Sequence, residues 1–232
     1  MNRLNSLLVL GVLFLSVGAN ADTPYFYGGD SGDSQYSSAI LNENVGDRDP
    51  YTSATYQNFY ALSDITVRGL FTNNLSNLNP SSGYWEIRSG VSEGNGGTLI
   101  ASGTGAVTNT PTGRSGFGYD EFTNLVSGLG VSLAEGQYWF AVVPVCPTCN
   151  SQAAYNANTF GTNSIGKSDL NLEYFNSPLN GINFLNPNDN DGHFPTFTSG
   201  VYADPNVPEP GSLLLMGTGA VAAIGMLRRR VL

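Results

Sequence analysis

The chain has 232 residues, 18 of them acidic against nine Lys and Arg, for a net charge of −9 at neutral pH. Such a surface repels nucleic acid and anionic membranes, and no basic stripe offsets it, so nucleic acid is excluded as a partner. Only 12% of residues are charged, which leaves few good helix formers.

The N-terminus reads as a secretory signal peptide over residues 1–21. Arg3 gives a positive start, Leu4 to Val17 is an uncharged, mostly apolar stretch too short to span a bilayer, and Ala19 and Ala21 are the small residues that a signal peptidase reads. Cleavage after Ala21 leaves residues 22–206 as the body, long enough for one domain with a substantial core. Its only cations are Arg48, Arg68, Arg88, Arg114 and Lys167, and of all the acidic residues only Glu209 lies outside it.

Aromatic and β-branched residues favour pleated surfaces, and the many Gly and Asn residues favour the turns between them, so the body reads as all-β. Asp22 to about Pro50 predicts an irregular segment with at most one edge strand. Alternation predicts strands at Thr55–Leu62 and Asp64–Thr72. Asn73–Gly83 is a turn-rich connection. Tyr84–Ser89 alternates again, with Trp85 and Ile87 on one face and Glu86 and Arg88 on the other. The Gly-rich stretch from Glu93 to Gly97 predicts a hairpin that returns through Thr98–Ser102. Thr104–Gly116 reads as a loop and Phe117–Val126 as a strand. Gln137–Val145, with its run Tyr138-Trp139-Phe140-Ala141-Val142-Val143, is apolar on both faces and predicts a central strand. Tyr155–Phe160, Leu170–Phe175 and Phe194–Tyr202 are further strands. The pattern predicts an antiparallel β-sandwich, jelly-roll-like, in two layers.

Residues 207–232 form a distinct tail. Pro208-Glu209-Pro210 precedes an uncharged apolar run from Gly211 to Leu227, and Arg228, Arg229 and Arg230 follow. As a helix that run reaches about 26 Å, the short end of what crosses a bilayer. The arginines would stay cytoplasmic, which places the body on the far side of the membrane.

This tripartite tail resembles the PEP-CTERM sorting signal of exported Gram-negative bacterial proteins. The resemblance implies recognition and cleavage by an integral-membrane exosortase, with the 211–227 helix inserted transiently in the inner membrane. It also implies delivery to the cell surface or extracellular matrix, in association with exopolysaccharide and biofilm. The succession Phe59–Phe71, Tyr84–Ser102 and Val131–Val143 is similar to the β-sandwich bodies that such proteins bear.

In an oxidising compartment, Cys146 and Cys149 predict a disulfide that closes a tight loop. A redox pair would need a helix after the first cysteine, and a zinc site would need more ligands than the lone His193 supplies. Asn186 to Gly192 crowds oxygen ligands, with Asp189 and Asp191 the calcium candidates. The EF-hand register fails, because Pro187 falls at its first ligand position and Thr198 where the bidentate Glu belongs. An ordinary loop is the simpler reading, and no cofactor is called for beyond that candidate calcium. Asp30 with Asp33, and Asp47 with Asp49, are lesser pairs of the same kind.

Nothing amounts to an active site: His193 has no nucleophile elbow, and Glu86, Glu93, Asp120, Glu121 and Glu173 fall mostly on predicted exposed faces or loops. Tyr84, Trp85, Tyr138 and Trp139 suit either a core or a sugar-stacking surface. The expectation is a non-enzymatic structural or interaction protein. A carbohydrate-binding module, calcium-assisted, is the alternative, and a secreted hydrolase is the second.

Overall fold

The structure is a computed structural model that describes residues 23–31, 39–46, 51–149, 152–187 and 196–206. The expected signal peptide, the tail from 207 onward, Asp189, Asp191 and His193 lie outside these residues. In chain order the strands are β1 (Phe26–Tyr27), β2 (Ala39–Leu41), β3 (Asn44–Val45), β4 (Ala54–Ala61), β5 (Ile65–Ser76), β6 (Ser82–Ser89), β7 (Thr98–Gly105), β8 (Val107–Gly116), β9 (Tyr119–Leu133) and β10 (Gly136–Cys146). They continue with β11 (Ala154–Thr159), β12 (Tyr174–Ser177), β13 (Ile182–Leu185), β14 (Thr196–Phe197) and β15 (Ser199–Pro205).

Two sheets stack as a sandwich. The first centres on β5, which pairs along one edge with β9 and along the other with β15 and then β11; β8 extends it beyond β9. The second runs β13-β12-β4-β10-β6-β7. Pairing is antiparallel throughout except for β3, which lies parallel to the end of β10. The predicted central strand is β10, between β4 and β6.

Alternation explains how β10 buries both faces. Phe140 and Val142 point between the sheets, where they meet Phe59, Ile87, Leu70, Val126 and Val201. Phe59 and Phe140 pack edge to face with ring centroids 5.8 Å apart. Trp139, Ala141 and Val143 point the other way, into a second apolar cluster with Tyr51, Tyr56, Tyr174 and Phe184 on the outer side of the second sheet. The segment carrying β12 and β13 contributes to that outer cluster.

Several sequence expectations fail here. The segment from Asp22 to Pro50, expected to hold at most one edge strand, carries the short strands β1, β2 and β3. Thr104–Gly116 is strand rather than loop: β7 runs on to Gly105 and β8 follows at once. Its Thr, Ser and Gly residues alternate between half-buried and exposed on an edge strand, a pattern that local polarity disguises. Asn73–Ser76 continues β5 instead of opening a turn. The strand expected at Leu170–Phe175 starts later, at Tyr174.

The Asn-rich end of β5 is buried because the space between the sheets is part polar. Asn42 donates to the Val142 carbonyl at 2.9 Å and to Asn74 Oδ1 at 3.3 Å, and its own Oδ1 accepts from the Thr55 amide. Asn156 donates to Thr55 Oγ1 and Ser199 Oγ, each at 2.9 Å, and accepts from Thr198 Oγ1. Asn42, just after β2, links β5 of one sheet to β4 and β10 of the other. Asn156 on β11 reaches Thr55 on β4, while its bonds with Ser199 and Thr198 stay within the first sheet. The cross-layer bonds stitch the layers together where hydrophobic contact gives out. Removing one member strands its buried partners, which costs more than a typical hydrogen bond contributes. Asn42→Ala is therefore expected to lower stability by about 2 kcal/mol in urea denaturation; a change within error would show that the seam contributes nothing.

Candidate functional site

The Cys146–Cys149 disulfide is present, at the end of β10. It closes a turn in which the Cys149 amide donates to the Cys146 carbonyl at 3.1 Å, packed with Leu78 and Ala154. The bridge pins that end of the central strand. Among the described residues no group of three His, Cys, Asp or Glu side chains is placed to hold a metal ion. Asp33, Asp47 and Asp49 lie outside them.

The four aromatic candidates are largely absorbed by packing. Trp139 is buried, and its indole N–H donates to the Leu172 carbonyl at 2.7 Å. Trp85 and Tyr138 pack half-buried against the inter-sheet core. Tyr84 lies half-buried beside Tyr51, ring centroids 5.6 Å apart.

The carboxylates correct the sequence reading most sharply. Glu86, Glu121 and Glu173 are buried, whereas Glu93 and Asp120 are exposed as expected. Glu86 and Arg88 do share a face, but it is the face covered by the outer aromatic cluster. Arg88 clasps Glu86 with both prongs, Nε to Oε1 at 2.9 Å and Nη2 to Oε2 at 3.1 Å, and lies 5.4 Å from the centre of the Phe184 ring. Tyr56 and Tyr84 donate to the same carboxylate. Burial first, then the nearby charge of Glu86, pushes the Tyr84 hydroxyl well above its ordinary pKa. Gly96 in the hairpin lies flat against Phe184, where a Cβ would come within 2.5 Å of the ring.

Glu121 is held in the same manner on the outer face of the first sheet. Its Oε2 accepts from Arg114 Nε at 2.6 Å and Thr112 Oγ1 at 2.7 Å, while Oε1 is buried without a hydrogen-bond partner. Arg114 also reaches Asp30 at 2.7 Å. Burial alone would raise the Asp30 pKa, but hydrogen bonds from Asn163 and Tyr27 and the Arg114 charge hold it below its usual value.

Glu173 has amides for neighbours: Gln57 and Asn58 donate to its Oε1 at 3.4 and 3.5 Å. Burial pushes its pKa up to about 8. Because the folded pKa exceeds the ordinary 4.5, the folded state holds this proton more tightly than the unfolded one. Its contribution is complete below about pH 4.5 and is lost as pH rises through about 8. The melting temperature should fall across that window, and Glu173→Gln should remove this component; an identical pH profile in the variant would contradict the assignment.

An open surface feature lies on the first sheet. Beside Arg68 the first sheet is irregular on both edges of β5. Against β15 the register shifts between Tyr202 and Ala203, so that Gly69 faces Tyr202 and Val67 faces Ala203. Against β9, Gly69 faces Ser127 and Val67 faces Val131, which leaves Gly128, Leu129 and Gly130 opposite a single residue. Gly128 and Gly130 take φ of 76° and 68°, conformations that glycine adopts without strain. A β-bulge re-aims side chains and bends its strand. Here two such irregularities at one level open a hollow of about 550 Å³ lined by Arg68, Gly69, Leu125, Ser127, Gly128, Gly130 and Tyr202. Sequence reasoning passed over the signal that was available, two glycines flanking Leu129 inside a strand pattern.

The molecule is thus an acidic β-sandwich in which arginines pair two of the buried glutamates, Glu86 and Glu121, and whose outer first-sheet face carries a groove. Residues 206–230 match the PEP-CTERM protein-sorting motif. The chain thus carries, beside a β-rich body, a protein-sorting motif that indicates export. Among the described residues no helix is long and apolar enough to cross a membrane, and 211–227 is not among them. No curated protein matches the sequence. A solved structure that resembles it contains the cysteine protease and lectin-like domains of Cwp84, a surface layer associated protein of Clostridium difficile. The identity is 15% and the TM-score 0.42, over 76% of this chain and 37% of that one, and the likeness carries no functional argument. This chain spans little more than a third of that structure's length.

Proposed function

We propose that the protein is a non-enzymatic structural or interaction component of the cell surface or extracellular matrix, associated with exopolysaccharide or biofilm. The observation that carries this reading is the sorting motif at 206–230. In this account a signal peptidase cuts after Ala21, and the 211–227 helix inserts transiently with Arg228, Arg229 and Arg230 on the cytoplasmic side. Exosortase then acts at Pro208-Glu209-Pro210 and releases the 22–206 body.

The body's chemistry fits binding better than hydrolysis. A glycosidase needs two carboxyl groups flanking one accessible bond. Glu86 and Glu121 are instead buried under arginine and hydroxyl partners. Asp189 and Asp191 stay as the candidate calcium ligands of a calcium-assisted version of this role.

Replacing Pro208, Glu209 and Pro210 with alanine should leave an unprocessed, membrane-retained form on immunoblots of fractionated host cells. Processing and release at the rate of the unchanged protein would overturn the exosortase route.

A further inference from the structure

The groove beside Arg68 carries a more specific assignment, one that rests on the proposed role in a polysaccharide-containing matrix. We propose that it binds a neutral saccharide, seated against Tyr202 and held through its hydroxyls by the Arg68–Asp204 pair.

Size comes first. At about 550 Å³ the hollow lies within the range of small-molecule sites, roughly 300–1,000 Å³. Glycine keeps it open: a Cβ on Gly128 or Gly130 would meet nothing within 4 Å, so the space above the bulge is clear. Its walls then supply two kinds of contact. Tyr202 and Leu125 are apolar, and the Tyr202 ring is backed by Phe71, with centroids 5.4 Å apart. Phe71 is itself fixed over Gly200, where a Cβ would approach within 2.3 Å of its ring. A rigid, supported aromatic ring suits the apolar C–H face of a pyranose.

The second contact is polar. Arg68 Nε lies 2.7 Å from Asp204 Oδ2, an ion contact rather than a directed hydrogen bond, with the side chains 40% and 59% exposed. A guanidinium is all donor and a carboxylate all acceptor, and a sugar hydroxyl is both, so the pair can serve neighbouring hydroxyls from one side. Ser127 adds a hydroxyl on the β9 side.

Charge selects among sugars. Asp204 already balances Arg68, and the chain's net charge is −9, so a uronate or sulfated unit meets repulsion that a neutral hexose does not. The site is distinct from the surface that sequence reasoning offered for sugar stacking, since Trp139 is interior and Tyr84 serves Glu86.

The test uses the full-length chain in a sugar-free detergent, titrated calorimetrically with maltohexaose, cellohexaose and an oligogalacturonate of equal length. At least one neutral hexasaccharide should bind, and the anionic one should not. Tyr202→Leu should weaken binding about tenfold and Tyr202→Phe should retain it. Ser127→Trp, which fills the groove from an exposed position, should abolish it. Thermal melts of each variant separate lost binding from lost folding. The assignment is overturned if no neutral hexasaccharide binds, if only the oligogalacturonate does, or if Ser127→Trp leaves affinity unchanged. A concentration-dependent dimer dissolved by Ser127→Trp would give the groove to a second copy and would also overturn it. Co-sedimentation with the host's own polysaccharide that ignores Tyr202→Leu and Ser127→Trp defeats this groove while leaving the matrix role intact, and failure of export and processing defeats the role independently.

Discussion

The whole sandwich depends on pairing the polar groups that it takes inside. A hydrophobic core fills only part of the space between the sheets; the rest is occupied by Asn42, Asn74, Asn156, Thr55, Thr72, Thr198 and Ser199. Each of these carries a desolvation cost that only a directed partner offsets. Asn42 and Asn156 find partners in the opposite layer, at Val142 and Thr55, so satisfying their side chains also fixes how the layers sit. Such a seam favours one register over its neighbours, because slipping any strand by one residue would send the amides to the outer face. The buried ion pairs obey the same constraint. Arg88 and Arg114 pair with Glu86 and Glu121, so neither carboxylate is left as an uncompensated buried charge.

That constraint also decides where the surface can open. The outer side of the second sheet is covered by the Phe184 segment, and its glutamate is sealed beneath aromatic rings. The outer side of the first sheet is closed near Glu121 by Arg114 and Asp30. At Arg68, where both neighbouring strands lose register, this face breaks its regular pleat into a hollow. A stable interior with most of its polar groups paired and an irregular hydrogen-bond ladder on one face are complementary. The first holds the second in shape without help from a ligand.

Much of this was legible from the chain. The run through Val142 and Val143 announced a central strand, the glycines from Gly94 to Gly97 announced the β6–β7 hairpin, and the two cysteines announced their bridge. What was not legible depended on tertiary cover. Glu86 and Arg88 alternate correctly for an exposed face, and nothing local reveals that Phe184, far along the chain, lies over Arg88. The Asn residues at the end of β5 look like turn formers because composition cannot say that partners await them inside. Thr104–Gly116 looked like a loop for the same reason, since small polar residues on an edge strand resemble a linker until β9 supplies their hydrogen bonds. The groove needed the register on both sides of Arg68, a long-range quantity.

Amide hydrogen exchange on the full-length chain tests the central claim most directly. The Thr55 and Thr198 amides, which donate to the Asn42 side chain and the Ala157 carbonyl, should exchange only through global unfolding, while Gly128 to Gly130 exchange fast. Seam amides that exchange as quickly as the bulge would contradict the claim that buried polar pairing holds the two sheets together.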